Sequence, residues 1–240
     1  MRELTERLDD LVAGRYWDRA EQLLLSELDR ANARGDDSLA LSLESELMGL
    51  YRMSGNESGF FSSMDNARAL LRRTRIDRRS RGTILINIAT GLTAFSRSEE
   101  SLPVYREAER LFREVLPPGD TLFAALYNNM SSAYRDLGDC TEAETCLRRA
   151  EQILCETPHH PDLATTLVNL AQVLVLRDSG RERADEALDR AWAVFDDPET
   201  VWNGYYAHTA LKCAGAFEEL GQGERAKELR ERADLIYERT

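Results

Sequence analysis

The stretch Asn129–Ile153, NMSSAYRDLGDCTEAETCLRRAEQI, decides the fold. With Leu126 just before it, its first half places Met130, Ala133, Tyr134 and Leu137 at the three- and four-residue steps of one helix face. Gly138 follows, and a residue free to adopt positive φ is what a helix C-terminus favours. The second half repeats a narrower apolar stripe, Ala143, Leu147, Ala150, Ile153 and Leu154. The stretch therefore predicts two antiparallel helices joined by a tight turn.

Working outward, the same signature recurs at a fixed period, which is the mark of a repeat architecture. A small residue near the end of each second helix returns at Ala67, Ala108, Ala150, Ala191 and Ala233, in steps of 41, 42, 41 and 42 residues. Three residues later stand Leu70, Leu111, Ile153, Val194 and Ile236. Sixteen residues before the alanine come Tyr51, Leu92, Tyr134 and Phe217. Leu174 takes that place in the fifth unit, with one residue inserted in the turn behind it. Turn glycines are read at Gly55, Gly138, Gly180 and Gly221. Pro117–Pro118–Gly119, Pro158 with Pro161, and Pro198 fall between units, where a helix must end. Pro103 is the exception and is expected to shorten or bend the first turn of its helix. A less regular sixth pair leads the chain, around Leu8, Leu11, Ala20 and Leu24. The expectation is one solenoid over residues 1–240, with units near 1–35, 36–75, 78–117, 119–157, 160–197 and 199–240. In the first helices, Ala89, Ser131, Ala171 and Ala214 let paired helices approach closely.

Composition narrows the function. The chain carries 43 acidic and 31 basic residues, a net charge of −12. All the basic residues but Lys212 and Lys227 are arginine. Such a chain repels nucleic acid and anionic membrane surfaces, because affinity for both comes largely from cations. No run of about 18 apolar residues exists to span a bilayer. The opening MRELTERLDDLVAG has no apolar core of a secretory signal. A cytoplasmic protein is expected. The four cysteines, Cys140, Cys146, Cys155 and Cys213, lack metal-ligand spacing and read as small core residues. His159 and His160 have no third ligand nearby. No phosphate loop or nucleophile elbow occurs. No catalytic residue, metal or cofactor is therefore assigned.

The turn glycine, the small residues and the tyrosine column resemble the tetratricopeptide repeat. The 42-residue period is similar to the kinesin-light-chain type, as are the openings Asn87-Ile88-Ala89, Asn129-Met130-Ser131 and Asn169-Leu170-Ala171 and the junction His160-Pro161-Asp162. The likeness spans Ser38 to Arg239 and is strongest from Asp120 to Val194. It departs in the first two units, which lack the Asn, and at Ser96, which replaces the turn glycine. The resemblance implies an all-α, right-handed superhelical solenoid of about six antiparallel helix pairs, whose first helices line a concave groove that binds peptides. Carried onto this chain, the groove positions are Thr83, Asn87 and Thr90; Asn128, Asn129, Ser132 and Arg135; Thr165, Asn169 and Gln172; and His208 and Lys212.

Asn suits recognition of a main chain, since its amide both donates and accepts. The alternative is that the same residues bond within the solenoid, and the sequence leaves both roles open. A clamp for a terminal carboxylate needs clustered cations, whereas Arg52, Arg135 and Lys212 lie in three different units. Trp17, Trp202, Tyr205 and Tyr206, near turns, could form a second contact surface. The leading expectation is a scaffold for a protein or peptide ligand. The alternatives are a regulatory sensor of a small signalling peptide, like bacterial helical-repeat regulators, and a homo-oligomeric assembly subunit. The oligomeric state is open.

Overall fold

A computed structural model describes residues 2–156, 160–177 and 180–238. Among them twelve α-helices and no strands occur. The chain divides into two compact units, Met1–Leu116 and Pro117–Thr240. The first holds α1 (Arg2–Ala13), α2 (Trp17–Ala33), α3 (Asp37–Ser54), α4 (Glu57–Arg73), α5 (Arg78–Ala94) and α6 (Ser98–Val115). The second holds α7 (Thr121–Asp136), α8 (Cys140–Leu154), α9 (Pro161–Val175), α10 (Arg181–Asp196), α11 (Gly204–Glu219) and α12 (Gly223–Tyr237). Each odd-numbered helix packs against the even-numbered helix after it. The first helices also meet one another, α3 with α5 and α9 with α11.

The starts of the first helices follow one chemical rule. Asp36, Asp77, Asp120 and Asn203 each accept a backbone N–H from the first turn of α3, α5, α7 and α11. His160 does the same for α9 through Nδ1, at 3.3 Å from the Asp162 nitrogen. Such caps satisfy donors that the helix itself cannot, each contributing about 1 kcal/mol. Pro161 stands as the first residue of α9, where its missing N–H is harmless. Pro158 and His159, read above as junction residues, lie outside the described residues.

The turns within pairs share a second device. The N–H of Tyr16, Asn56, Arg97, Asp139 and Gln222 reaches back to the carbonyl of Leu11, Tyr51, Leu92, Tyr134 and Phe217, at 2.7–2.9 Å. The last four acceptors belong to the recurring column noted in the sequence. The residue just before each donor is left-handed: Arg15, Gly55, Ser96, Gly138 and Gly221. Ser96, at φ 59°, thus performs the turn without glycine's freedom.

Gly180 departs from the reading made of it. Its φ is −83°, and it caps the start of α10 rather than the end of α9. The carbonyl of Leu174 is met instead by the N–H of Arg177 at 3.1 Å. Glycine is needed here for closeness: a Cβ on Gly180 would stand 1.8 Å from the Leu174 carbonyl oxygen. Of the two effects expected of Pro103, shortening is not seen. Helix α6 begins five residues before it, at Ser98, and continues to Val115, so the proline does not shorten it. The N–H that Pro103 lacks would have faced Glu99, whose position is exposed to water.

The core is built on the small-residue columns. Ala67, Ala108, Ala150, Ala191 and Ala233 are fully buried, as are Ala89, Ala171 and Ala214, with Ser131 nearly so. Around them close Tyr105, Phe60, Phe112, Phe195 and Phe217. Gly91 extends the principle within α5, where a Cβ would lie 1.8 Å from the Phe60 ring. Of the aromatics near turns, Tyr206 is fully buried while Trp202 and Tyr205 are exposed. Cys146 and Cys213 are buried and Cys155 is exposed. No helix among the described residues is long and apolar enough to cross a membrane.

Candidate functional site

In the second unit, α7, α9 and α11 line a groove of about 460 Å³. Helix α7 contributes Asn128, Asn129, Ser132 and Arg135, residues that helical geometry stacks on one face. Helix α9 contributes Asp162, Thr165, Val168, Asn169 and Gln172, and α11 contributes Lys212, Cys213, Gly215, Ala216 and Glu219. The groove is polar because the apolar faces of these helices are turned into the pairs behind it.

A hydrogen-bonded relay ties the first helices together along the groove. Asn169 Nδ2 donates to Asn128 Oδ1 at 3.3 Å, and Asn128 Nδ2 donates to Thr166 Oγ1 at 2.7 Å. Thr166 Oγ1 in turn donates to the Asp162 backbone carbonyl at 2.8 Å. Arg135 Nη1 donates to Gln172 Oε1 at 3.2 Å. Thr165 and Cys213 face each other at 3.9 Å. Burial pushes the Cys213 thiol up to about 11, against the opposing pull of Thr165 and Lys212, so the sulfur stays protonated. Asp162 accepts from the Tyr205 hydroxyl, and the Tyr205 phenol is raised above its ordinary range by burial and then by that carboxylate.

These bonds divide the candidate residues. The amide donors of Asn128 and Asn169 are engaged on neighbouring first helices. Asn129 and Ser132 line the groove with no side-chain hydrogen bond among the described residues. Lys212 and Glu219, two turns apart on α11, have no ion-pair partner among the described residues. The groove thus presents an amide, a hydroxyl and two opposite charges to whatever enters it.

The remaining candidates stand elsewhere. His208 is exposed and does not line the groove. Asn87 and Thr90 belong to the first unit. There Asn87 Nδ2 donates to Ser45 Oγ at 2.8 Å, and Thr90 accepts from the Tyr105 hydroxyl at 3.1 Å. Thr83 turns back on its own helix, donating to the Arg79 carbonyl at 3.1 Å. The sequence reading did not include Asp162, Cys213 or Glu219. Their signal was present, since Asp162 precedes Asn169 by seven residues and Glu219 follows Lys212 by seven. Among the described residues no group of three or more His, Cys, Asp or Glu side chains is placed to hold a metal ion.

Comparison with known proteins agrees with this architecture. Residues 122–196 match the model of the tetratricopeptide repeat. No curated protein sequence matches the chain. Among solved structures, a putative kinesin light chain of nearly identical tetratricopeptide-like repeats from Podosopora anserina superposes with a TM-score of 0.58. It is 20% identical, over 82% of this chain and 94% of that one. BtubC (BKLC) from P. vanneervenii gives a TM-score of 0.59 at 18% identity, over 98% and 91% of the two chains. PilW, a type IV pilus biogenesis factor, gives 0.59 at 16% identity, over 100% and 94%. At these identities the likeness is one of fold. Residues 122–196 are thus matched in sequence as tetratricopeptide repeats, and the helix pairs of the chain share the fold of tetratricopeptide-like repeat proteins.

Proposed function

We propose that the protein is a non-enzymatic scaffold that binds an extended segment of another polypeptide along the groove of α7, α9 and α11. Tetratricopeptide-type repeats generally mediate protein–protein interaction. The observation that carries the narrower reading is the state of the groove's side chains. The relay through Asn128, Thr166 and Asn169 fixes the walls, while Asn129 and Ser132 keep their hydrogen-bonding groups open toward the cavity. An Asn amide meets both the N–H and the C=O of a passing main chain. Each such bond contributes roughly 0.5–1.5 kcal/mol. Lys212 and Glu219 add a charge of each sign along α11, which gives a peptide a preferred direction. A net charge of −12 argues against nucleic acid as the partner.

The test is selection of a random linear peptide library displayed on phage, with the full-length protein as bait. Enriched sequences are then synthesised and titrated by fluorescence anisotropy. Asn129→Ala should weaken them roughly three- to tenfold, and Lys212→Glu should shift the charge of the sequences enriched. If nothing is enriched, or if the enriched peptides bind Asn129→Ala as well as wild type, the groove is not the binding site.

A further inference from the structure

The exposed face of α8 carries a charge pattern opposite to that of the molecule. In a chain with an excess of acids, Arg148, Arg149, Arg177, Arg183 and Arg190 gather around two glutamates. Glu144 sits deep, its side chain 15% exposed, and is shared by Arg148 at 3.8 Å, Arg177 at 3.0 Å and Arg183. Glu151, 11% exposed, is shared by Arg148 at 3.0 Å and Arg190 at 2.5 Å. Arg149 has no carboxylate within ion-pair distance among the described residues; its guanidinium lies over the Tyr127 ring at 5.6 Å.

Between these arginines lies a depression of about 370 Å³. Arg148, Arg149 and Arg177 border it with Thr141, Thr145 and Gln152, and Glu144 lies at its floor. Four guanidinium groups, those of Arg148, Arg177, Arg183 and Arg190, share the two carboxylates, so two positive charges remain uncompensated, with Arg149 beside them. The arginines are held from beneath: Arg148 spans Glu144 and Glu151 with its two Nη groups, whereas Arg177 meets Glu144 through Nη1 alone, which leaves its Nε and Nη2 donors without an ion-pair partner among the described residues. A guanidinium has five donors in a planar fork, suited to oxyanions bidentately. Two charges and several converging donors match a phosphate monoester, which carries about −1.5 to −2 near neutral pH. A single carboxylate would neutralise only half of the excess. We infer that this face of α8, completed by Arg177 beyond α9, is a binding site for a phosphate monoester group. The site is separate from the groove and does not depend on the peptide reading.

The test uses the full-length protein and calorimetric titration, in a buffer free of other multivalent anions and at fixed ionic strength set with sodium chloride. The probes are inorganic phosphate, phenyl phosphate, and a phosphoserine peptide with its unphosphorylated counterpart. Saturable binding of the phosphorylated probes is expected, with at least a tenfold loss in the Arg149→Gln/Arg177→Gln variant. A peptide that binds well above inorganic phosphate identifies a phosphorylated polypeptide as the source. Equal affinities identify a small phosphorylated molecule. Thr145→Glu, which keeps every arginine and places a carboxylate in the depression, should abolish binding while the helical circular dichroism is retained. Lys227→Gln, on α12 and outside both the groove and this face, should leave binding of inorganic phosphate unchanged. Heats that chloride alone reproduces, or phosphate binding equal in wild type and the arginine variant, would overturn the assignment.

Discussion

Glu44 lies on α3 and is 3% exposed. Its Oε1 accepts from Asn66 at 2.9 Å, but its buried Oε2 makes no hydrogen bond among the described residues. Burial raises the carboxyl above its ordinary value, while the nearby Ser63 hydroxyl and the Asn66 amide pull the other way. The folded chain therefore holds this proton to higher pH than the unfolded chain does. The stabilisation is complete below the unfolded value and is lost as pH rises through the folded one. Glu44→Gln keeps the shape and removes the ionisation. The variant should melt with wild type near about pH 4 and at a higher temperature near about pH 8, the gap opening as pH rises. A difference that does not grow with pH would show that Glu44 is neutralised by other means. The asparagines teach the complementary lesson at this scale. The resemblance assigns Asn128, Asn129 and Asn169 to a groove, and all three line the cavity of α7, α9 and α11. Whether an amide is engaged or open depends on a hydroxyl or amide on the next first helix. That offset between helices has no signature in the spacing along one.

At the scale of the element, close approach of paired helices rests on residues without bulk. Ala150 is fully buried between α7 and α8 and cannot accept a larger side chain without displacing its neighbours. Ala150→Leu should cost roughly 1–3 kcal/mol and lower the melting temperature by about 2–4 °C for each kcal/mol. An unchanged melt would mean that the α7–α8 contact is looser than the burial implies. These columns were legible in the sequence because a repeated packing problem is solved by a repeated residue. Gly180 was legible as a glycine and misread as to role. Both a left-handed turn and a steric near-contact select glycine, and only the φ and the proximity of the Leu174 carbonyl tell them apart. Pro103 was misread because a helix interior usually rejects proline. Here α6 begins five residues before it and runs on to Val115, past an exposed Glu99.

Over the whole molecule, arginine supplies nearly all the positive charge, and most of its ion pairs are exposed, as in Arg73–Asp37 and Arg230–Glu218. Such pairs contribute little individually, while a net charge of −12 sets the chain against itself. Raising sodium chloride from about 20 mM to about 300 mM should therefore raise the melting temperature by a few degrees. A fall would mean that the ion pairs outweigh the self-repulsion. Net charge, read from composition, says nothing of where the charges gather. The arginine cluster on α8 draws on residues from the end of α9 and from α10, which only the fold brings together. The same gap between tally and arrangement bears on how such a chain varies in length. Leu174 stands one residue further from Ala191 than its counterparts stand from their alanines, yet Ala191 and Val194 are as buried as the rest of their columns. The extra residue is taken up locally, where the Gly180 backbone lies against Leu174, and the phase of the helix beyond is kept. The count of residues along the chain is therefore not what sets the register downstream; burial of the alanine column is.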